Sequence, residues 1–351
     1  LGRRPPGGPS AITGKERPED LLQHAFPAFV GRQIRKEWEL MARSLEEDAT
    51  VYATRSGVMM HDEPLPRFSE LPDELADPST AAAVVVPVPY DRTSTWKKGA
   101  DRGPRAILEA SHHIEWYDVA SSSEPCRRGI ATLPPIEGED DPERLADLLA
   151  GKIGALIENG SLPIVLGGEH SVSIGAIRGA ARVVPGLSVL QIDAHADTRE
   201  SYAGSAFNHA CVMARAREIC GIVQVGIRAV DADEVPHLDP QRVIWGHQIN
   251  GPGAEPDWID RALAGLGEQV YVTIDLDGFD PAVVPATGTP EPGGLDWHQV
   301  TALLTRVAEQ RRVVGFDVVE LLPTPGQWAS EFLAAKLVYS FLGQILAHRA
   351  V

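Results

Sequence analysis

The sequence predicts an α/β protein in which parallel strands form a sheet covered on both faces by helices. From residue 68 onward, short apolar runs alternate with longer segments whose apolar residues recur at helical spacing. Such alternation is typical of a parallel sheet between two layers of helices. In addition, three of the apolar runs stop at clusters of histidine and carboxylate residues, which a parallel sheet would collect at one edge.

The predicted strands are runs of mainly apolar residues, as expected for strands that are buried on both faces. The first is the alanine- and valine-rich run at 81–88, and the second, at 162–166, is closed by two glycines that allow a tight turn. The remaining predicted strands are 188–192, 222–227, 242–245, 269–274 and 313–319.

The predicted helices lie between these strands and carry apolar residues every three or four positions. The first begins at Gly103-Pro104, where proline suits the first helical position because an N–H there would have no partner within the helix. The other predicted helices are 142–158, 171–181, 209–219, 258–264, 297–310 and 331–346.

Residues 1–67 are predicted to form an N-terminal extension, and residues 68–351 a single main domain. Residues 1–14 are rich in glycine and proline and are expected to be disordered. Between residues 28 and 48, apolar residues recur every three or four positions, which predicts an amphipathic helix. We expect this helix to pack against the main domain or a neighbouring subunit.

Composition and charge exclude several classes of protein. Of the 351 residues, 43% are hydrophobic, which excludes a chain that is disordered throughout. A net charge of −17 argues against nucleic acid and anionic membranes as partners and is compatible with a cationic ligand. The chain shows no signal-peptide pattern, no apolar stretch near the ~20 residues of a membrane span, and only three scattered cysteines. We therefore expect a cytoplasmic protein.

Two polar clusters at the ends of predicted strands indicate a metal site. Asp193, His195 and Asp197 directly follow one strand, and Asp275 and Asp277 directly follow another. Side chains two residues apart in an extended chain lie on one face, so each cluster converges. Four carboxylates at short range would repel one another unless cations lay between them. Ligands that mix imidazole and carboxylate suit manganese, zinc, iron or nickel better than magnesium or calcium.

His170 is expected to join the same site. It follows the predicted strand 162–166 and the turn Gly167-Gly168. Because ligands of a parallel sheet bind outside the carboxyl ends of its strands, three neighbouring strands would direct six side chains into one crevice. Six ligands with bridging carboxylates are sufficient for two metal ions about 3.5 Å apart. The predicted ligands are His170, Asp193, His195, Asp197, Asp275 and Asp277.

These motifs resemble those of the ureohydrolase family, which comprises arginases, agmatinases and related enzymes that cleave guanidino groups. The resemblance covers roughly residues 68–351 and is closest to the agmatinases. The motifs that carry it are Gly-Gly-Glu-His-Ser at 167–171, Asp-Ala-His-Ala-Asp at 193–197, Thr-Ile-Asp-Leu-Asp-Gly-Phe-Asp-Pro at 273–281, Gly-Thr-Pro-Glu-Pro-Gly-Gly at 288–294 and Gly-Phe-Asp-Val-Val-Glu at 315–320. It implies an arginase-like, three-layer α/β/α fold with a central parallel sheet of about eight strands. It also implies two Mn²⁺ ions per chain and a homo-oligomer, either a trimer or a hexamer.

The resemblance further implies a role for each metal ligand. Asp193 and Asp275 would bridge the two ions, and the residues that complete the two sites would be His170 with Asp197, and His195 with Asp277. A guanidinium is a poor electrophile and water is a poor nucleophile. Two metal ions correct the second defect because they lower the pKa of a shared water. Asp197 is also expected to orient that water.

Two further residues are expected to act on the substrate. Glu320 ends the predicted strand 313–319, and a carboxylate at this position would pair with the planar guanidinium through two hydrogen bonds. His209 lies 12 residues after Asp197, where a histidine of the family moves protons towards the leaving amine. His209 is followed by alanine, whereas many relatives have glycine there.

The leading substrate is agmatine, which would be cleaved to putrescine and urea in polyamine metabolism. Segments 89–96, 99–107 and 334–339 resemble agmatinases, and the loop 198–208 lacks the asparagine and serine pattern with which arginases hold the amino acid part of arginine. The sequence leaves open which side chains surround the tail of the substrate, although Trp96 and Arg199 are candidates.

Two alternatives are kept. The first is a guanidinobutyrase, a formiminoglutamase or another guanidino-acid hydrolase, which should have a basic residue such as Arg199 in the tail pocket. The second belongs to another class: an inactive homologue that acts as a regulatory or binding subunit. Such a protein would be expected to have lost metal ligands, whereas all six are present here.

Overall fold

Eight parallel strands form one sheet in the computed structural model, which describes residues 64–349. Their order across the sheet is β2-β1-β3-β8-β7-β4-β5-β6. The strands are β1 (Ala83–Val88), β2 (Ile130–Thr132), β3 (Leu162–Gly167), β4 (Ser188–Ile192), β5 (Gly221–Ile227), β6 (Val243–Trp245), β7 (Gln269–Asp275) and β8 (Arg312–Val319). The predicted parallel α/β sheet is therefore confirmed.

Helices cover both faces of the sheet. They are α1 (Gly103–Ser111), α2 (Pro142–Glu158), α3 (Val172–Val183), α4 (Val212–Arg217), α5 (Gly246–Asn250), α6 (Trp258–Gly265), α7 (Trp297–Gln310) and α8 (Ala329–His348). Apolar residues of α1, α6, α7 and α8 form one core, and those of α2, α3 and α4 form a second. Strand β1 shows why two cores exist, since Val85 contributes to the first and Val84 and Val86 to the second.

Side-chain caps explain why two helices begin where the sequence predicts. Asp141 precedes α2 and accepts hydrogen bonds from the backbone N–H groups of Glu143 at 2.9 Å and Arg144 at 3.1 Å. Asp296 precedes α7 and accepts from the N–H of Gln299, while the Gln299 amide oxygen accepts from the N–H of Asp296. This reciprocal pair is a capping box.

Short elements are the main differences from the prediction. Strand β2, of three residues, and helix α5, of five, were not predicted. The predicted helix 209–219 is instead a short 3₁₀ turn, His209–Cys211, followed by α4. The amphipathic helix predicted between residues 28 and 48 lies outside the described residues. Within residues 64–349, no helix combines the length and apolar character that crossing a membrane requires.

The register of the central strands places their carboxyl ends side by side at one edge of the sheet. Leu166 of β3 is opposite Val318 of β8, and Asp275 of β7 is opposite Val319 of β8. Strand β4 pairs with β7 so that its last residue, Ile192, is opposite Ile274. The segments that follow β3, β8, β7 and β4 consequently start at the same edge of the sheet, beside one another.

Candidate active site

Four adjacent strands deliver the predicted site residues to one cleft of about 320 Å³. Five of the six predicted metal ligands line this cleft, and the sixth, Asp193, is fully buried. Glu320 and His209 line the same cleft. The expectation of three neighbouring strands was wrong in one respect: β8 lies between β3 and β7, and Glu320 at its end therefore lies among the predicted ligands.

His170 lies at the centre of the first group of ligand atoms. Its Nδ1 atom is 3.2 Å from Oδ2 of Asp193, 2.9 Å from Oδ2 of Asp197 and 3.3 Å from Oδ2 of Asp275. The ring is buried, and Nδ1 has no hydrogen-bond partner of suitable geometry. A buried nitrogen lone pair that faces three carboxylates is a donor set suited to a divalent metal ion.

His195 forms the centre of a second group. Its Nδ1 atom is 3.0 Å from Oδ2 of Asp277 and 3.7 Å from Oδ1 of Asp193. Asp193 thus turns one oxygen towards each histidine, which is the arrangement that a bridging carboxylate requires. Potential ligand atoms of His170, Asp193 and Asp197, and of Asp193, His195 and Asp277, lie within 4.8 Å of one another in each group.

The crowded carboxylates of the two histidine-centred groups create an environment that favours positive charge. Burial and the charge of Asp193 raise the pKa of Asp197 to about 7, and burial and the charge of Asp277 raise that of Asp275. Burial by itself would lower the pKa of His195, but the carboxylates of Asp277 and Asp193 outweigh it and raise that pKa to about 12. A proton bound by His195 therefore occupies the electrostatic position that a metal ion would take.

Backbone geometry fixes the first ligand segment. Gly168 passes so close to Tyr90 that a Cβ atom on it would lie 2.0 Å from the Tyr90 carbonyl oxygen, so only glycine fits. The N–H of Gly168 donates to Val88 O at 2.9 Å, and that of Glu169 donates to Tyr90 O at 2.8 Å. These bonds attach the start of the His170 segment to the end of β1.

Two site residues other than glycine have left-handed backbone conformations. Asp197 has a φ of 51° and Glu320 a φ of 64°. Residues other than glycine seldom adopt this conformation, because their Cβ atom is crowded there. Residues held in it are concentrated at functional sites. The carbonyl oxygen of Asp197 also accepts hydrogen bonds from Met213 and Ala214 at the start of α4, which hold the strained turn in place.

Glu320 is bound to the His170 segment. Its Oε1 atom accepts a 2.8 Å hydrogen bond from the backbone N–H of His170, and its own N–H donates to Gly168 O. Burial and the negative charge of Glu169 raise the pKa of Glu320. A cationic group in the cleft would relieve this unfavourable environment, as expected for a residue that anchors a guanidinium.

His209 is held by Thr93, a residue that the sequence did not single out. The Thr93 hydroxyl donates to Oε2 of the buried Glu169 at 2.8 Å and accepts the backbone N–H of His209 at 3.0 Å. Nδ1 of His209 is 3.2 Å from the same oxygen, so this nitrogen carries the hydrogen and donates. Burial and the charge of His170 lower the pKa of His209 to about 4, below the near-neutral value assumed from the sequence.

A model of the arginase family matches residues 81–343 of this chain.

The chain belongs to the arginase family.

Relatives and solved structures agree with this assignment. The chain is 38% identical over 274 residues to the N(1)-aminopropylagmatine ureohydrolase of Synechocystis sp., with 75% of this chain and 89% of the relative covered. It is 34% identical over 279 residues to the agmatinase of Pyrococcus horikoshii, with 78% and 95% covered. The crystal structure of the agmatine ureohydrolase of Thermoplasma volcanium matches with a TM-score of 0.72 and 32% identity, covering 82% of this chain and 97% of that structure.

Membership of the arginase family establishes the class of chemistry. The protein is a metal-dependent amidinohydrolase, and arginase-family enzymes use a binuclear metal centre to act on small guanidino substrates. The eight-stranded parallel sheet is the arginase-like fold of the solved relatives. The enzyme class and the fold that the motifs led us to expect are therefore both confirmed.

The outer part of this arginase-family cleft is rich in charge. Arg199 lines it, as the sequence suggested, but its guanidinium is 3.3 Å from Oδ2 of Asp231 and 3.6 Å from Oε2 of Glu234. It also lies over the ring of Tyr202, 4.9 Å from the ring centroid. The negative charges of Asp231 and Glu234 therefore outweigh the positive charge of Arg199, which leaves this part of the cleft with a net negative charge. Trp96, in contrast, is 74% exposed and is not among the residues that line the cleft.

Several supporting residues could not be identified from the sequence because their roles depend on contacts between distant segments. Gln191 reads as a polar interruption of an apolar strand, yet its side-chain amide donates to Oδ2 of Asp193 at 2.6 Å. Arg228 donates to the backbone oxygens of Gly226, Asp277, Gly278, Phe279 and Glu291. These bonds hold the turn that carries Asp277 against the end of β5 and the loop that contains Glu291.

Proposed function

We propose that this arginase-family protein hydrolyses the guanidino group of a substrate with a cationic tail, such as agmatine, to urea and an amine, with two Mn²⁺ ions as cofactor. The observation that carries the proposal is the joint position of the two histidine-centred carboxylate groups and Glu320 in one cleft. Such a cleft can hold two cations and a guanidinium side by side.

The proposed ligands divide into two sets. Asp193 and Asp275 belong to both, and the residues that complete the sets are His170 with Asp197, and His195 with Asp277. When bound, two such ions supply Lewis-acid chemistry that makes water a nucleophile at neutral pH and stabilises the charge that develops on the attacked group. Mixed imidazole and carboxylate donors suit Mn²⁺, and Ni²⁺ is the alternative to be compared with it.

The side chains around the ligands account for binding and proton transfer. Glu320 would accept hydrogen bonds from the guanidinium and fix its plane, so that the central carbon faces Asp197 and the attacking water. The new carbon–oxygen bond comes from water, and the carbon–nitrogen bond to the substrate chain breaks. His209 would pass a proton to the departing nitrogen. Because its pKa is lowered to about 4, His209 is neutral near pH 7, so it would first take a proton from the attacking water and then deliver that proton to the departing nitrogen.

The charge of the outer cleft favours a cationic tail over a carboxylate tail. Arg199 is already paired with Asp231 and Glu234, and Glu234 is held in turn by the N–H of Thr198 at 2.9 Å. The net negative charge of the outer cleft supports agmatine or N(1)-aminopropylagmatine as the substrate. Two of the relatives are named for the hydrolysis of these amines. Guanidino acids would bring their carboxylate towards Asp231.

A substrate panel tests this proposal. Urea release would be measured with Mn²⁺ or Ni²⁺ on agmatine, N(1)-aminopropylagmatine, butylguanidine, guanidinobutyrate and arginine. We expect the two amines to have the highest kcat/KM. Asp231→Asn should raise KM for the amines about 2- to 5-fold and leave butylguanidine unchanged, because only the amines carry a charge in the tail. A preference for guanidinobutyrate would overturn the tail assignment, and no urea from any guanidine would overturn the proposed function.

We also propose a homo-oligomer in the cytoplasm. Apolar side chains of two joined segments are exposed: Val119 is 79% exposed and Phe332, on α8, is 43% exposed. The segments are linked by a 3.0 Å salt bridge between Lys336 and Asp118. The three cysteines are unpaired, as in a reducing compartment. Light scattering on the purified protein would show whether it is a trimer, a hexamer or a monomer.

A further inference from the structure

His170 is connected, on the side away from the other ligands, to a buried chain of hydrogen bonds. Its Nε2 atom is 3.0 Å from Oγ1 of Thr273, and the Thr273 hydroxyl donates to Oδ1 of Asp317 at 2.6 Å. Thr273 and Asp317 are fully buried, and His170 is only 1% exposed. The pair is built into the sheet, since Thr273 on β7 lies directly opposite Asp317 on β8.

The hydrogen bonds between these three residues all run in one direction, from His170 through Thr273 to Asp317. A hydroxyl has a single hydrogen, and Thr273 has two acceptors within reach: the Asp317 carboxylate at 2.6 Å and the Ser173 hydroxyl at 3.3 Å. In either case its oxygen has no hydrogen left to donate to His170. The Thr273 oxygen must therefore accept the hydrogen on Nε2 of His170. Of the two ring nitrogens, Nδ1 is consequently the one with a free lone pair, and it faces the carboxylates of Asp193, Asp197 and Asp275 at 2.9 to 3.3 Å.

We propose that Thr273 and Asp317 are positioning residues that hold His170 in the tautomer and orientation required to bind a metal ion. This inference rests on the proposed two-metal centre. It applies to the His170 side of that centre only, because His195 is 29% exposed at its side chain and has no such buried chain among the described residues. The two metal positions should therefore respond differently when the chain is broken.

The test measures Mn²⁺ binding by the metal-free full-length protein, with free Mn²⁺ followed by its electron paramagnetic resonance signal. Thr273→Val has the same shape but no hydroxyl. It should weaken one of the two binding events about 10- to 100-fold, as is typical when a partner of a ligating histidine is removed. The other event should stay within about 3-fold of the wild type. The bound spectrum should change from that of a coupled pair to that of an isolated Mn²⁺ ion at substoichiometric loading.

Two variants separate positioning from general damage. Thr273→Ser retains the hydroxyl and should bind both ions like the wild type. Ser173→Ala removes another fully buried hydroxyl, 3.3 Å from Oγ1 of Thr273, but leaves the path from His170 to Asp317 intact, so it should also bind both ions. If Thr273→Val does not fold, as judged by circular dichroism, Asp317→Ala, which removes the acceptor of the Thr273 hydroxyl, replaces it under the same criterion.

The outcomes are distinguishable from failure of the proposed function. A wild-type protein that binds no pair of Mn²⁺ ions would refute the two-metal centre itself. A wild-type protein that binds two ions, together with a Thr273→Val protein that binds both with unchanged affinity, would overturn only the role of the chain. Equal losses in Thr273→Val and Ser173→Ala would overturn it as well, because the effect would then be one of packing.

Discussion

The backbone N–H of His170 donates a 2.8 Å hydrogen bond to Oε1 of Glu320, which joins a proposed metal ligand to the proposed guanidinium anchor. The two residues are 150 positions apart in the chain, and they meet because β3 and β8 are neighbours in the sheet. The bond occupies one oxygen of Glu320, a residue that also lines the cleft. The proposed metal site and the proposed guanidinium anchor thus share one short segment of backbone.

Replacing Glu320 by glutamine should impair catalysis without loss of metal. Glu320→Gln keeps the size of the side chain but removes the charge that would pair with the guanidinium. Loss of a charge-assisted pair in a desolvated site should cost about 2–4 kcal/mol of transition-state stabilisation, roughly 30- to 1,000-fold in kcat/KM. The check is steady-state kinetics on protein of confirmed metal content. Near-normal kcat/KM would mean that the guanidinium is held elsewhere.

Removing the shared ligand should disrupt both metal positions. Asp193 faces both histidine-centred groups, so Asp193→Ala should leave well under two ions per chain and no measurable urea release. Elemental analysis of the purified variant checks the metal content. Asp231→Asn, which removes a carboxylate from the outer cleft, is the matched control and should retain both ions. Two retained ions with full turnover in Asp193→Ala would refute the assignment.

Metal affinity should rise with pH. In the metal-free protein, the pKa of His195 is raised to about 12 and that of Asp197 to about 7, so an ion must displace a proton from His195 over the whole range tested and from Asp197 below about pH 7. Binding therefore releases protons, and each proton released increases apparent affinity about 10-fold per pH unit. Calorimetry of Mn²⁺ binding at pH 6.5 and 8.5, in buffers of different ionisation enthalpy, measures this release. Equal affinities at the two pH values would contradict the expected competition.

Removing the hydroxyl of Thr93 should slow turnover through His209. Thr93 accepts both the backbone N–H and the ring Nδ1 hydrogen of His209, so Thr93→Val frees the imidazole to rotate. Misplacement of a proton-transfer group by about 1 Å can cost up to about 100-fold in rate. We expect a loss of that order in kcat, with metal content and thermal unfolding close to the wild type. Thr93→Ser should restore turnover, and an unchanged kcat in Thr93→Val would show that His209 does not depend on this bond.

The motifs and hydrophobic periods in the sequence were sufficient to predict the parallel sheet and the segments that meet at its edge. Ser188–Ile192 was predicted with its observed bounds, because a mainly apolar run that stops at the polar cluster beginning with Asp193 has a clear end. Helices α2 and α7 have the bounds predicted from their apolar spacing, and in the structure Asp141 and Asp296 cap their first turns. These features are local, and local chemistry can be read from the order of residues.

The order of the strands and the contacts behind the cleft were decided by the tertiary structure. No local pattern places β8 between β3 and β7, yet this position is what brings Glu320 to His170 and Asp317 opposite Thr273. The neutralisation of Arg199 by Asp231 and Glu234 likewise depends on two loops that are separate in the chain. The sequence by itself determined which residues have the chemistry to bind metal ions and a guanidinium. Only the packed sheet determined their partners, because hydrogen bonds and charge pairs depend on distances between segments that the order of residues does not specify.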